Sequence, residues 1–180
     1  ILYTVLFVFG FIAFAQTPII DYQYDGTVKD SQGNVDGILV NGGTYAEDRF
    51  GNTMSALSLD GINQYVSLDN GGASTVSTNQ ITFDGWFNSN DFSTTQAILN
   101  IPELTVFISD AGFPGMAVQD GVSSSPIISS VAIDKTEWFH LAATYDGSFG
   151  RLYVNGVQTA SSQLDVTLFN GSGVTNLGAN

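Results

Sequence analysis

Apolar residues in this chain recur at a period of two, in runs of about four to eight residues cut by clusters of Gly, Asn, Asp and Ser. After Gln16 no stretch keeps apolar residues at helical spacing for three turns. That excludes helical and α/β architectures and leaves an all-β domain of many short strands. Candidate strands are 19–24, 37–40, 56–59, 64–68, 80–87, 96–100, 104–108, 115–119, 126–132, 137–145, 150–154 and 157–160. There is no internal repeat, and 180 residues suit a single domain.

The clearest segment is 136–158, "TEWFHLAATYDGSFGRLYVNGVQ". Phe139, Leu141, Ala143 and Tyr145 fall on one face of a strand, and Trp138, His140, Ala142 and Thr144 on the other. Asp146–Gly147 opens a loop, Arg151 to Val154 returns, and Asn155–Gly156 predicts a two-residue type I′ turn. The product is a three-stranded antiparallel meander. His140, the single histidine, sits mid-strand, and the sequence identifies no Ser, Asp or Glu partner for it. It is expected to be scaffold.

Forty-three per cent of residues are hydrophobic, enough for a core without disulfides, and there is no cysteine to form one. Four basic residues against 17 acidic ones give a net charge of -13. Such a surface repels phosphate backbones, which excludes nucleic acid as a partner. It suits calcium or neutral ligands. Residues 1–15, "ILYTVLFVFGFIAFA", are almost wholly apolar and end in the small-x-small pattern that precedes a cleavage site. Fifteen residues are short for a membrane span, which needs about 20. They are expected to be a signal peptide cleaved after Ala15, with a domain over 16–180 that is secreted or on the cell surface. No membrane insertion of the mature domain is expected.

"EWFHLAATYDGSFGRLYVNGV" resembles the core signature of the laminin-G-like, concanavalin A-like jelly-roll family. "DSQGNVDGILVNGGTYAEDRFGNTMSALSLDGINQYVSL" resembles its opening half, and "ITFDGWFN" its strand ending in Trp. The resemblance covers residues 19–180 in order. It implies an antiparallel two-sheet jelly-roll sandwich. It also implies a further strand after "NLGAN", so that a C-terminal closing strand is expected to be missing here and a sheet edge left bare. The function it implies is a non-catalytic recognition or adhesion module outside the cell, binding glycan or a protein partner. The alternatives are a structural spacer in a large surface protein and a glycoside hydrolase of the same fold.

The hydrolase fares poorly on chemistry. Retaining glycosidases need two carboxylates about 5–5.5 Å apart. The three glutamates, Glu47, Glu103 and Glu137, are far apart in sequence, and the nearest acid to Glu137 is Asp134. No nucleophile elbow, phosphate loop or His-rich metal motif is present, so no catalytic residue is assigned. Calcium is the better-founded ion. Asp21, Asp25, Asp30 and Asp36 lie close together with Asn34 between, and hard cations take oxygen ligands. Relatives of the resembled kind often carry one calcium ion. Asp30, Asn34 and Asp36 are the candidate ligands; plain turn chemistry is the other explanation. An EF-hand is excluded, because Gln32 replaces its first Asp and Gly43 its Glu. Asp60, Gly61 and Asn63 predict a turn rather than a ligand site. Trp86 lies in an apolar run and is expected in the core, although its ring would suit stacking on a sugar.

Overall fold

The structure is a computed structural model and describes residues 17–68, 79–168, 173 and 175–178. The expected signal peptide, 1–15, lies outside them. The strands are β1 (Gly37–Val40), β2 (Thr44–Ala46), β3 (Ala56–Ser58), β4 (Tyr65–Leu68), β5 (Ile81–Phe87), β6 (Gln96–Asn100) and β7 (Leu104–Ile108). They continue with β8 (Pro114–Gln119), β9 (Ser124–Ile128), β10 (Phe139–Tyr145), β11 (Phe149–Val154), β12 (Val157–Gln163) and β13 (Asn176–Leu177). No helix occurs among the described residues.

Two antiparallel sheets make the sandwich. One has seven strands in the order β1-β4-β13-β6-β7-β8-β9; the other has four, β12-β11-β10-β5. A small hairpin of β2 and β3 stands apart. β10, β11 and β12 form the expected meander, and Asn155 (φ 50) and Gly156 (φ 79) both adopt the left-handed conformation a type I′ turn requires.

The core is the sum of two inward faces. Leu104, Val106 and Ile108 of β7 and Met116 and Val118 of β8 meet Leu141, Ala143 and Tyr145 of β10 and Leu152 of β11. Each fully buried side chain of this size contributes about 1.5–3 kcal/mol. Phe139 is 3% exposed, on the inward face that alternation assigned to it. Gly150 admits a close approach between the sheets: a Cβ there would stand 2.4 Å from Ile127 Cδ1. A second cluster, Val35, Val66 and Leu68, is covered by Ile20, Tyr22 and Val28. Tyr22 donates its hydroxyl hydrogen to the Val35 carbonyl.

Cross-sheet packing joins β10, β11 and β12 to β8 and β9. On the opposite flank β5 pairs only with β10 among the described residues. A cleft there is lined by the half-buried Ile81, Phe83 and Phe87 of β5 and by Leu68, Ile98 and Leu177.

Several strands differ from the sequence expectation. Segment 19–24 contributes a single bridge, Tyr22 to Asp30. β9 ends at Ile128 rather than 132, because Ser129 turns the chain with its hydroxyl on the Val131 carbonyl. β2 and β13 are short strands outside the predicted set.

Candidate functional site

Because Leu104, Val106 and Ile108 point inward, Thr105 and Phe107 point out of the seven-stranded sheet. Register then builds a row across it. Ser67 of β4 lies beside Asn176 of β13, Asn176 beside Asn100 of β6, and Asn100 beside Thr105 of β7. Gln119 of β8 donates from Nε2 to Thr105 Oγ1 at 2.8 Å, and Thr105 Oγ1 donates to Asn100 Oδ1 at 3.3 Å. This relay fixes the amide orientations. Asn100 Nδ2 makes no hydrogen bond among the described residues and stays free to donate.

Next to the row lies an apolar floor. The Phe107 ring rests on Gly115, where a Cβ would stand 2.3 Å from its Cζ. Glycine is what lets the ring lie down on the sheet. Ala97 flanks Phe107 on one side, and Ala117, Pro126 and the exposed Ile128 extend the floor on the other. None of the seven strands contains Asp, Glu, Lys, Arg or His. On a chain of net charge -13 this is a large uncharged surface. An aromatic ring beside amides and hydroxyls can stack on a ring of C–H groups and exchange hydrogen bonds with hydroxyls in both directions.

The acidic N-terminal loop is held together by its own hydrogen bonds. Asp30 is 5% exposed. Its Oδ1 accepts from the N–H groups of Asp21 (2.8 Å) and Gln32 (3.1 Å), and its Oδ2 from those of Asn34 (2.8 Å) and Val35 (3.1 Å). Burial works to raise its pKa, and the four donors outweigh it, holding the carboxyl below its ordinary value. Asp36 Oδ1 accepts from the Asp30 N–H, and Asn34 Nδ2 donates to the Ile19 carbonyl. Among the described residues no three His, Cys, Asp or Glu side chains are grouped to hold a metal ion. Asp60 caps its turn as expected, accepting from the Ile62 N–H at 2.9 Å.

One aromatic expectation needs correction. Trp86 is outside the core: it is 42% exposed on the outer face of the four-stranded sheet, because Ile81, Phe83, Gly85 and Phe87 hold the inward positions. His140 has an acid neighbour, Asp84 of β5, with Nε2 3.5 Å from Oδ1, and its ring centroid is 5.3 Å from that of Trp86. The pair is cross-strand, so no spacing in the sequence announces it. Of the three glutamates, Glu103 is buried while Glu47 and Glu137 are exposed. Asp134 is exposed beside Glu137 in sequence.

Two antiparallel sheets, packed core to core with a shaped outer face, define the jelly-roll sandwich class. Residues 60–180 match the family described as the concanavalin A-like lectin/glucanases superfamily, and the chain belongs to it. Among solved structures it is similar to domain 4 of AbnA, a GH43 extracellular arabinanase from Geobacillus stearothermophilus, in complex with arabinotriose. The TM-score is 0.70 at 23% identity, over 88% of this chain and 82% of that one. It is also similar to the botulinum neurotoxin serotype C1 binding domain, with a TM-score of 0.62 at 13% identity, over 90% of this chain and 42% of the other. The binding domain of botulinum neurotoxin DC in complex with SialylT gives 0.62 at 14% identity, over 90% and 43%. The chain therefore spans under half the length of the toxin domains. No curated protein matches.

Proposed function

We propose that this chain is an extracellular, non-catalytic module that binds a neutral glycan on the outer face of its seven-stranded sheet. The observation that carries the proposal is the uncharged face itself, with Phe107 seated on Gly115 beside the Asn100–Thr105–Gln119 relay. Similarity to an arabinanase domain in complex with arabinotriose supports the ligand class. The apolar segment 1–15 with its Ala-Phe-Ala end supports export.

Sugar hydroxyls are donors and acceptors at once, and amides answer both needs without a charge to desolvate. The ring supplies the apolar half of the contact. Since no ion pair forms, affinity should hold between low and high salt, unlike that of a charged site. A neutral glycan array followed by calorimetric titration tests this. Phe107→Ala and Asn100→Ala should each weaken binding about tenfold, on the scale of one stacking or hydrogen-bonding contact. The absence of any neutral glycan ligand, or a ligand indifferent to both changes, would defeat the proposal.

A further inference from the structure

The opposite sheet carries a second constellation. The loop between β2 and β3 places Arg49 over the outer face of β5. Its guanidinium carbon lies 3.9 Å from the Trp86 ring centroid and 4.0 Å from that of Phe50, so the cation is clamped between two rings. The loop is rigid. Asp48 Oδ1 accepts from the N–H groups of Phe50 (2.8 Å) and Asn52 (2.9 Å), its Oδ2 accepts from Asn52 Nδ2 (3.0 Å), and Gly51 turns at φ 82.

That geometry leaves an unusual cation. The chain has 17 acidic residues, yet Arg49 makes no ion pair or hydrogen bond among the described residues. Its sequence neighbour Asp48 is committed to the loop, and Asp84 faces His140. Arg151, by contrast, pairs with Asp146 at 2.6 Å. Both rings lie against the Arg49 guanidinium, and the residue is exposed. A guanidinium held in one plane is already arranged for a bidentate carboxylate, and little rotamer freedom remains to be lost. The rings flanking it are themselves open, Phe50 at 71% exposure. They suit a ligand whose carboxylate hangs from a flat, C–H-bearing ring.

We infer that Arg49, clamped between Phe50 and Trp86, is a receptor for the carboxylate of an acidic sugar residue, separate from the neutral face of the other sheet. An acidic glycan is favoured over an acidic peptide because two exposed aromatic walls bracket the cation. Calorimetric titration at low salt tests it with an oligogalacturonate, its methyl ester, a sulfated oligosaccharide of equal length and an oligoglutamate peptide. The oligogalacturonate should bind at least about tenfold tighter than its ester, matching one charged hydrogen-bonded pair. Arg49→Gln should erase that ratio, and Arg49→Lys should lose most of it, since a point charge lacks the fork. Asn100→Ala on the other sheet should leave the ratio intact, which separates this site from the neutral one. Arg49 is exposed, so the variants should keep the parent melting temperature. An acid-to-ester ratio near one, or a ratio unchanged in Arg49→Gln, would overturn the inference. So would sulfated sugar or peptide equalling the oligogalacturonate.

Discussion

Asp30 gathers four backbone N–H groups onto two oxygens inside the N-terminal loop. Removing it leaves those donors without partners in a nearly dry site, and each such loss costs about 1–3 kcal/mol. Asp30→Ala should therefore destabilise by about 3 kcal/mol or more, a fall of roughly 6–12 °C in Tm. The fall should be the same in EDTA and in millimolar calcium, because the carboxylate oxygens are already committed. A parent protein whose own Tm drops in EDTA would support the calcium site expected at Asp30, Asn34 and Asp36. Tyr145 poses a simpler case. It is almost fully buried and donates its hydroxyl hydrogen to the Val166 carbonyl. Tyr145→Phe keeps the ring and strands the carbonyl, so a loss of about 1–2 kcal/mol should appear in denaturant titration with an unchanged m-value.

Among the elements, the β11–β12 turn and the Phe107 berth make opposite predictions about stability. Gly156 sits at φ 79, and Asn155 both takes φ 50 and accepts the His140 N–H on its Oδ1 at 2.8 Å. Gly156→Ala should cost about 1–2 kcal/mol by forcing a side chain into the left-handed region. Gly115→Ala should cost less, since the atom in its way is the far end of a ring that can swing. It should instead lift Phe107 from the sheet and weaken neutral glycan binding while Tm moves by only a few degrees. Unchanged binding in Gly115→Ala would remove Phe107 from the site. The meander was legible in the sequence because alternation and Asn155–Gly156 agree on it. Trp86 was not, because an apolar run hides which of its members fall on odd positions. The row from Asn176 to Gln119 was out of reach for another reason: its members come from four strands, and only the register aligns them. β13 has two residues, too few for any period to show.

At the scale of the molecule, acid should loosen what neutral pH holds. Asp30, Asp48, Asp60, Asp91, Asp120 and Asp146 are all held below the ordinary carboxylate value. Asp146 reaches about 2, first through the Arg151 side chain and then through the Phe149 and Ser148 N–H groups. A depressed folded pKa adds stability above the unfolded value, about 3.9, that is lost as pH falls through the folded one. Tm should thus fall from about pH 4 toward pH 2, and Asp146→Asn should flatten the lower end. A Tm that rises instead would mean that relief of repulsion among 17 acidic residues outweighs the lost bonds. The order β1-β4-β13-β6 has a temporal side as well. The strand that joins the two halves of the larger sheet is the last of the thirteen among the described residues, 76 positions beyond Asn100, its partner through Asn176. During vectorial synthesis β6 to β9 can pair by hairpins as they emerge, while β1 and β4 must wait beside them, unjoined. Two residues then join β4 to β6, and with them the row of amides becomes continuous. The row is thus absent from every nascent chain too short to have placed Asn176.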